Sequence, residues 1–389
     1  MLNICVDATS VRGQLSGVGF YTLNLIRALD SLQASHDFSL QIYYQPGLKN
    51  WLRGQWQPCD FLQTFDPCRC LPLPVTLSDG LVTVPNPVLG WLESRLGRPD
   101  IIHGTDHYIF PSRHSRNLLT IHDLTFLRFP QFVPPIVQRY HHRILRCLPH
   151  AAGILTFAEN TKQEIIDHYR FPGDRIFVTR QASRYGSQIN HINQPVTVNP
   201  PQTPIPYDFS RPYFLFVSTL EPRKNVTGLI QAFNDFKAST QAPHQLVLIG
   251  QLGWQYDPIL TAIADSRFSP SIHRLAYVPN DWLGVFYQRA TAFVYPSFYE
   301  GFGLPVVEAM GFGLPIITSD RGSLPEVAGD AALFVNPDHP QELTEALTQL
   351  VSDPNLQTTL RQKSWQRSQH FSWQQTAQQT LQVYQALAR

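Results

Sequence analysis

The sequence predicts an α/β protein built from two parallel, doubly wound domains. Short apolar runs alternate with helical patterns along the whole chain, which is typical of parallel α/β folds. The chain has 389 residues, enough for two ordinary domains. The proline-rich segment Asn199–Pro206 interrupts the pattern, which then restarts. We therefore predict a first domain at 1–205 and a second at 210–370.

The apolar runs give the predicted strands. In the first domain these are residues 2–7, 39–44, 100–103, 117–121, 152–157 and 176–179. In the second they are residues 213–218, 246–250, 275–278, 292–296, 315–318 and 332–335. Doubly wound sheets bind ligands at the carboxyl ends of their strands, so we expect the site in a cleft at those ends of both sheets.

The composition is that of a globular protein, with 43% hydrophobic and 15% charged residues. A net charge of +1 gives no reason to expect general nucleic-acid binding. The five cysteines include no CxxC pair, which favours free thiols in a reducing cytosol over a zinc site. No run approaches the roughly 20 apolar residues of a membrane helix, and the N-terminus lacks a signal-peptide pattern. We expect a cytoplasmic protein.

Two features of the first domain are candidates for ligand contact. Gly17 and Gly19 lie between the first strand and the first helix, where they would let the backbone approach a phosphate or sugar, or merely form a turn and a helix cap. His122 follows a strand and would point into the cleft to bond a sugar or acceptor, the alternative being a buried histidine paired with Asp123. His103 and the nearby Asp106 are weaker acceptor-side candidates.

Residues 132–148 combine arginines and histidines with apolar side chains at helical spacing. Such a helix fits an anionic membrane surface. The alternative is an ordinary solvated helix face.

The segment Ser218–Asn225 follows the first strand of the second domain and precedes a helix. Arg223 and Lys224 therefore lie in a loop at the edge of the cleft. Positive charge there suits a diphosphate and stabilises the negative charge that grows as it leaves. The alternative is a surface loop with two solvated bases.

The most informative segment runs from Glu300 to Glu308, two glutamates separated by seven residues. Gly301 and Gly303 permit close backbone approach, and Pro305 suits a helix start. A strand, a glycine loop and a helix N-terminus form a phosphate site, and carboxylates beside it suit the hydroxyls of a ribose or hexose. The segment therefore predicts a nucleotide-sugar site. No Asp-x-Asp pair is present to hold a divalent ion, so we expect no metal.

Three segments resemble one known family. Residues 293–337, which include YEGFGLPVVEAMGFGLPIITSDRGSLPEVAG, resemble the nucleotide-sugar-binding region of retaining glycosyltransferases of the glycogen-synthase-like "family 4" group, which have the GT-B fold of two Rossmann-like domains facing each other across a cleft. VSTLEPRKN and TIHDLTFLRFP are similar to that family as well. The likeness spans nearly the whole chain and is nearest to bacterial mannosyltransferases of surface polysaccharide synthesis.

The resemblance implies roles for individual residues. Glu300 would contact the donor hexose near its 3- and 4-hydroxyls and support the reacting centre, and Glu308 would bind the ribose hydroxyls. Lys224 would hold the distal phosphate. His122 would line the sugar and acceptor side, and Gly17 would face the donor. The backbone N–H groups of the intervening loop would bind sugar hydroxyls and phosphate; these belong to Gly301, Phe302, Gly303 and Leu304.

The resemblance also implies hinge closure, with a terminal helix at about 372–389 packing back on the first domain. Two positions depart from the family pattern. Thr219 stands where many members have an arginine, five positions before the phosphate lysine. Arg223 is the candidate to replace that arginine. Ala158 stands where the family often has serine.

The sequence thus predicts a metal-independent transfer of a hexose from a nucleoside-diphosphate sugar to a saccharide or lipid-linked acceptor, with retention and without a cofactor. Mannose from GDP-mannose is the first expectation, and glucose or another UDP-hexose the second. Contact with the inner face of the membrane stays open. The alternatives are a nucleotide-sugar epimerase and an inactive nucleotide-sugar-binding subunit. A nicotinamide dehydrogenase is disfavoured because no complete GxGxxG follows the first strand.

Overall fold

The computed structural model describes residues 1–13, 15–81, 87–110, 112–186, 197–202 and 204–389. Gln14 of the first glycine segment and Thr203 of the proline-rich segment lie outside the described residues. The chain forms two compact units. The first comprises Met1–Leu127, Pro135–Gln181 and Trp373–Arg389, and the second comprises Arg128–Pro134 and Ala182–Ser372.

The first unit contains a seven-stranded parallel sheet in the order β3-β2-β1-β4-β5-β6-β7. Its strands are β1 (Leu2–Asp7), β2 (Phe38–Tyr44), β3 (Cys68–Cys70), β4 (Ile101–Gly104), β5 (Arg116–Thr120), β6 (Ala151–Thr156) and β7 (Ile176–Val178). Its helices are α1 (Gly17–Leu32), α2 (Leu48–Leu52), α3 (Asp60–Gln63), α4 (Val75–Leu81), α5 (Pro87–Arg95), α6 (Thr125–Arg128), α7 (Pro135–Gln138), α8 (Tyr140–Cys147), α9 (Glu159–Tyr169) and α17 (Trp373–Ala388).

The second unit contains a six-stranded parallel sheet in the order β10-β9-β8-β11-β12-β13. Its strands are β8 (Tyr213–Val217), β9 (Gln245–Ile249), β10 (Ile272–Leu275), β11 (Ala292–Tyr295), β12 (Ile316–Ser319) and β13 (Ala332–Val335). Its helices are α10 (Val226–Thr240), α11 (Asp257–Ala264), α12 (Asn280–Arg289), α13 (Leu304–Gly311), α14 (Leu324–Ala328), α15 (Pro340–Ser352) and α16 (Pro354–Ser368).

The predicted α/β fold class is confirmed, and most strands lie within a residue or so of their predicted positions. Central strands are apolar throughout because helices cover both faces of the sheet; β8, for example, is buried at every residue. The sequence missed β3, a three-residue strand that pairs only with β2. It also placed β10 too late, because this edge strand alternates buried and more exposed residues and carries His273 and Arg274.

Both sheets reverse their strand order at one place. The order changes between β1 and β4 in the first unit and between β8 and β11 in the second. Loops that leave the carboxyl ends of such neighbouring strands diverge to opposite faces of the sheet and leave a crevice between them. The loops after β8 and β11 are the two segments that contain Arg223, Lys224 and Glu300.

The junction between the units differs from the predicted boundary at residue 205. The chain enters the second unit at Ala182, because the Tyr185 ring packs on Phe312 at 5.0 Å and its hydroxyl donates to the carbonyl of Asn280 at 2.9 Å. Arg128–Pro134 also belongs to the second unit. There the Phe132 ring stacks on Phe298 with centroids 5.7 Å apart.

The last helix, α17, belongs to the first unit. Its Trp373 ring lies against Phe20 and Tyr21 of α1, at centroid distances of 6.5 and 6.2 Å. Its Tyr384 hydroxyl is 2.7 Å from Nδ1 of His103 in β4. An aromatic contact and a buried polar contact therefore fix the helix to α1 and the sheet.

The predicted single helix over 132–148 is wrong. The structure has two short helices, α7 and α8, separated at Arg139. Pro134 and Pro135 prevent an earlier start, since a residue that precedes proline is disfavoured in helical conformation. Across the described part of the chain, no helix combines the length and the apolar character needed to cross a membrane.

Candidate functional site

The first half of the candidate site is the loop after β8. Pro222–Lys224 form one 3₁₀ turn, and Asn225 adopts a left-handed conformation (φ 55°) before α10 begins. This tight turn brings two consecutive bases beneath the loop surface. The side chain of Arg223 is 12% exposed and that of Lys224 only 7%. The alternative of two solvated surface bases is therefore excluded.

The second half is the loop after β11. Gly303 caps α13 with φ 101°, a conformation that favours glycine, and a Cβ there would lie 2.7 Å from Cδ2 of Leu324. Both the backbone conformation and the contact with Leu324 therefore favour glycine at this position. Glu308 is the fifth residue of α13 and therefore lies on its second turn. It points into the unit and is 1% exposed.

The two halves meet through Glu300. Its Oε1 lies 2.5 Å from Nζ of Lys224, and its Oε2 lies 3.0 Å from the Arg223 guanidinium. The same ammonium donates to the hydroxyl of Tyr295 at 2.8 Å. Arg223 also forms an ion pair with Glu221 at 2.8 Å. Two carboxylates and two cations thus form a charge-balanced cluster at the crevice of the sheet.

The cluster fixes the protonation of its members. Burial would raise the pKa of Glu300, but Arg223 and Lys224 outweigh it and lower the pKa to about 2. Burial and the neighbouring Arg223 would lower the pKa of Lys224, yet the attraction of Glu300, Tyr295 and Glu221 raises it overall. Glu300 is therefore a carboxylate and Lys224 an ammonium at neutral pH. Two of the three ammonium donors are used by Tyr295 and Glu300, which leaves one for a ligand.

Glu308 forms a second, separate polar group. Its Oε1 accepts from Nε of Arg184 at 2.6 Å, and its Oε2 accepts from the hydroxyl of Tyr287 at 3.0 Å. Arg184 also donates to Oδ1 of Asn280 at 3.0 Å. The two glutamates of the motif therefore differ in their partners, the first held by two cations and the second by one cation and a phenol.

The loop between the glutamates contributes backbone rather than side chains. Gly301, Phe302 and Gly303 are buried, and Leu304 begins α13. The Phe302 ring packs edge-on against Phe371 at 5.9 Å, inside the unit. The Phe302 side chain is thus used in packing, and ligand contact by the main chain of this loop stays a prediction.

In the first unit, the two glycines have different surroundings. A Cβ on Gly19 would lie 2.6 Å from the carbonyl oxygen of Ser10, and the N–H of Gly19 donates to the side chain of Ser16, the N-cap of α1. Gly19 is thus explained by packing and by a helix cap, the alternative raised from the sequence. Gly17 is the first residue of α1, and a Cβ there meets no atom within 4 Å. Its role toward a donor stays a prediction.

The three candidates near the strand ends of the first unit separate into different roles. Nε2 of His122 carries a proton and donates to the carbonyl oxygen of Thr105 at 2.7 Å, so a ligand would meet the ring at Nδ1. Asp123 accepts from the N–H of Thr125 instead of pairing with His122. His103 is completely buried and bonded to Tyr384 and Thr120 at 2.7 Å each, so the suggestion of acceptor contact is wrong for it.

Asp106 lines a cavity of about 370 Å³ at the carboxyl ends of β1 and β4. The lining also includes Asp7, Arg12, Tyr140 and Arg143. Burial raises the pKa of Asp7 to about 6, against the hydrogen bonds from Thr9 that lower it. Carboxylates, guanidinium groups and an aromatic ring around one small cavity are the groups that bind sugar hydroxyls and pack on a sugar ring.

Sequence reasoning missed four polar residues of the second unit. Glu221 and Tyr295 stand inside segments that were already identified, but nothing in their spacing indicated contacts with Arg223 or Lys224. Arg184 and Tyr287 lie 124 and 21 residues from Glu308. Only folding brings them together. Within the described ranges, no group of three or more His, Cys, Asp or Glu side chains is arranged to hold a metal ion.

Comparisons with known proteins relate the chain to glycosyltransferases. Residues 206–367 match the family model described as "Glycosyl transferases group 1". The chain is 33% identical over 291 residues to O-antigen chain mannosyltransferase B of Escherichia coli, covering 74% of each chain. It superposes on sucrose-phosphate synthase from Thermosynechococcus elongatus with a TM-score of 0.72 at 18% identity, covering 100% and 99% of the two chains. Anabaena HepE in complex with UDP-glucose gives a TM-score of 0.70 at 14% identity, covering 99% and 100%.

Proposed function

Because this chain belongs to the glycosyl transferases group 1 family of GT-B enzymes, we propose that it transfers mannose from GDP-mannose to a hydroxyl of a growing saccharide, with retention at the anomeric carbon. A UDP-hexose is the second candidate donor. The observation that carries the proposal is the Arg223–Lys224–Glu300 cluster at the crevice between β8 and β11. The similarity to a mannosyltransferase supports the choice of sugar.

The leaving diphosphate is the group that most needs stabilisation, since its negative charge grows as the glycosidic bond breaks. Lys224 is a buried ammonium with one remaining donor for a phosphate oxygen. The amino end of α13 adds the partial positive charge of a helix N-terminus beside it. These groups are pre-oriented by the turn and the glycine cap, which is the requirement for electrostatic catalysis.

Glu300 binds the hexose in this proposal and does not attack it. A carboxylate with a pKa of about 2, neutralised by two cations, is a weak nucleophile and has no proton to donate. Its remaining lone pairs accept hydrogen bonds from the 3- and 4-hydroxyls of the sugar. The acceptor hydroxyl attacks from the face that the diphosphate leaves and transfers its proton to a departing phosphate oxygen, so the configuration is retained.

No divalent ion is needed in this scheme, because Lys224, Arg223 and the α13 dipole supply the positive charge. His122 lies at a carboxyl strand end of the first unit with Nε2 bonded to the carbonyl of Thr105, and it is proposed to bond the donor sugar or the acceptor through Nδ1. The acceptor is proposed to be a saccharide, free or linked to a lipid. The cavity lined by Asp7, Asp106 and Arg143 is its proposed binding site.

A lipid-linked acceptor would place the enzyme at a membrane surface. Between Asp123 and Glu159 the sequence has no acidic residue. Arg139, His142 and Leu145 lie at helical spacing on the exposed side of this region, and Ile136 is 68% exposed. We propose that this surface contacts anionic lipid. Sedimentation with vesicles of phosphatidylglycerol but not with neutral phosphatidylcholine vesicles is the expected result, and equal binding to both contradicts it.

The activity is tested with GDP-mannose or UDP-glucose and methyl α-mannoside as acceptor. Acceptor-dependent release of GDP and an α-linked product by NMR are expected. Glu300→Gln and Lys224→Ala should lower the rate at least a hundredfold, whereas Glu345→Gln, on the exposed side of α15, should not. A β-linked product would exclude retention. Donor turnover that needs no acceptor would instead favour an epimerase.

A further inference from the structure

The carboxylate of Glu308 is held by a residue from an unexpected part of the chain. Arg184 lies in the first few residues of the second unit, directly after the chain leaves the first. Its Nε is 2.6 Å from Oε1 of Glu308. Oε2 of the same carboxylate accepts from the Tyr287 hydroxyl at 3.0 Å. Each oxygen of Glu308 is thus fixed by one donor.

Burial makes these two donors necessary. The Glu308 side chain is 2% exposed, and an unpaired carboxylate so far from water is strongly destabilising. Arg184 is 29% exposed, so the pair reaches solvent on its guanidinium side. Tyr287 is a stable donor because burial and then the charge of Glu308 raise its pKa well above the ordinary value. The arrangement holds the Glu308 carboxylate in one orientation.

Such a carboxylate is suited to two adjacent hydroxyls. An ionised carboxylate has about four lone-pair positions, two on each oxygen. The contacts with Arg184 and Tyr287 use one position on each oxygen. One position on each oxygen is left, and a vicinal diol presents two donors at the matching separation. The 2′- and 3′-hydroxyls of a ribose are such a diol.

We propose that Arg184 is a positioning residue for ribose recognition, holding the Glu308 carboxylate turned toward the diol while Tyr287 fixes the second oxygen. The inference rests on the proposed function and on the ribose contact that the family resemblance implies for Glu308. Arg184 is itself anchored through Asn280, whose side chain accepts from the guanidinium and whose carbonyl accepts from Tyr185. The first residues of the second unit are therefore part of the proposed nucleotide site.

The test measures the affinity for paired nucleotides by calorimetry, using GDP with 2′-deoxy-GDP and UDP with 2′-deoxy-UDP. Wild type is expected to prefer the ribonucleotide of whichever base it binds. Arg184→Gln should weaken ribonucleotide binding at least tenfold and deoxynucleotide binding much less, so that the preference falls toward one. Tyr287→Phe should act in the same direction with a smaller effect. Arg267→Gln, at an exposed position of the second unit, is the matched control and should change neither value.

Several outcomes would overturn the inference. These are an unchanged preference in Arg184→Gln, an equal loss for both nucleotides, or tighter ribonucleotide binding, which would mean that the guanidinium occupies the place of the ribose. If Arg184→Gln fails to fold, Arg184→Lys is the second variant. It keeps the positive charge but lacks the Nε–H group that bonds Oε1 of Glu308, so it must show a partial loss of the preference. If wild type binds no nucleotide, the proposed function itself fails; if it binds nucleotide and the Arg184 variants behave as wild type, only the role of Arg184 is excluded.

Discussion

Replacing Glu300 with glutamine tests whether the buried ion cluster holds the second unit together as well as binding the donor. The carboxylate lies 2.5 Å from Lys224 and 3.0 Å from Arg223, with 9% of its side chain exposed. Its pKa is lowered from 4.5 to about 2 in the folded protein. Because a tenfold difference in proton affinity equals about 1.4 kcal/mol, folding gains about 3 kcal/mol at pH 7 from keeping this group ionised. Glu300→Gln should lose roughly that amount.

The effect has a definite pH dependence. The folded pKa is below the unfolded one, so the contribution is complete above about pH 4.5 and is lost as the pH falls toward 2. The stability difference between wild type and Glu300→Gln should therefore shrink on acidification, from about 3 kcal/mol at pH 7 to about 2 kcal/mol at pH 3.5. The unfolded states of the two proteins become alike once the glutamate is protonated.

The assay is urea unfolding followed by tryptophan fluorescence at a series of pH values. A two-unit chain can unfold in two transitions, and the one that Glu300→Gln shifts should be the transition of the second unit. Glu345→Gln, an exposed position in the same unit, is the control and should change stability by less than about 0.5 kcal/mol. A difference below about 1 kcal/mol at pH 7, or one that does not vary with pH, would refute the ion-cluster reasoning.

Three further predictions concern the glycine loop, a helix cap and metal ions. Gly303→Ala should destabilise the second unit by about 1–3 kcal/mol and lower donor affinity, because φ is 101° and the new Cβ would meet Leu324. Gly17→Ala is the control and should fold normally, since a Cβ there meets no atom within 4 Å. Equal thermal stability of the two variants would contradict this prediction. Ala158 is the N-cap of α9 and provides no side-chain acceptor. Ala158→Ser should therefore raise the free energy of unfolding of the first unit by about 1 kcal/mol. A loss of stability would show that the new hydroxyl does not reach the first turn of the helix. Transfer should persist in excess EDTA; inactivation that Mg²⁺ or Mn²⁺ reverses would show that a divalent ion shares the work of Lys224.

Where the family pattern has an arginine at position 219, this chain supplies a guanidinium from another position of the same loop. Thr219 is exposed, whereas Arg223, four residues later, reaches Glu300 and Glu221 from inside the 3₁₀ turn. A guanidinium is thus present in the cluster, although it comes from a different position of the loop. Because it is already paired with two carboxylates, we expect its contribution to a phosphate to be indirect. It holds Glu300 in place beside Lys224.

Periodicity and turn residues determined the elements and their order. Apolar runs such as Tyr213–Val217 are strands because only a central strand of a parallel sheet is buried on both faces. Gly303 and Pro305 determined where α13 begins, since the left-handed backbone conformation of residue 303 favours glycine. These are local effects, and each is present in a window of a few residues. The same reasoning failed at β3 and β10, which are edge strands with little apolar surface to bury.

The sequence by itself therefore determined the fold class, the strand-end loops and the residue types that they present, namely Arg223 and Lys224 in one loop and Glu300 in the other. Only the tertiary structure decided which of these charges pair with one another, that His103 is a buried support for α17, and that Arg184 reaches Glu308 across 124 residues. The physical reason is that backbone conformation and burial follow from neighbouring residues. The partner of a buried charge is chosen by whatever distant segment the folded chain brings within hydrogen-bonding distance.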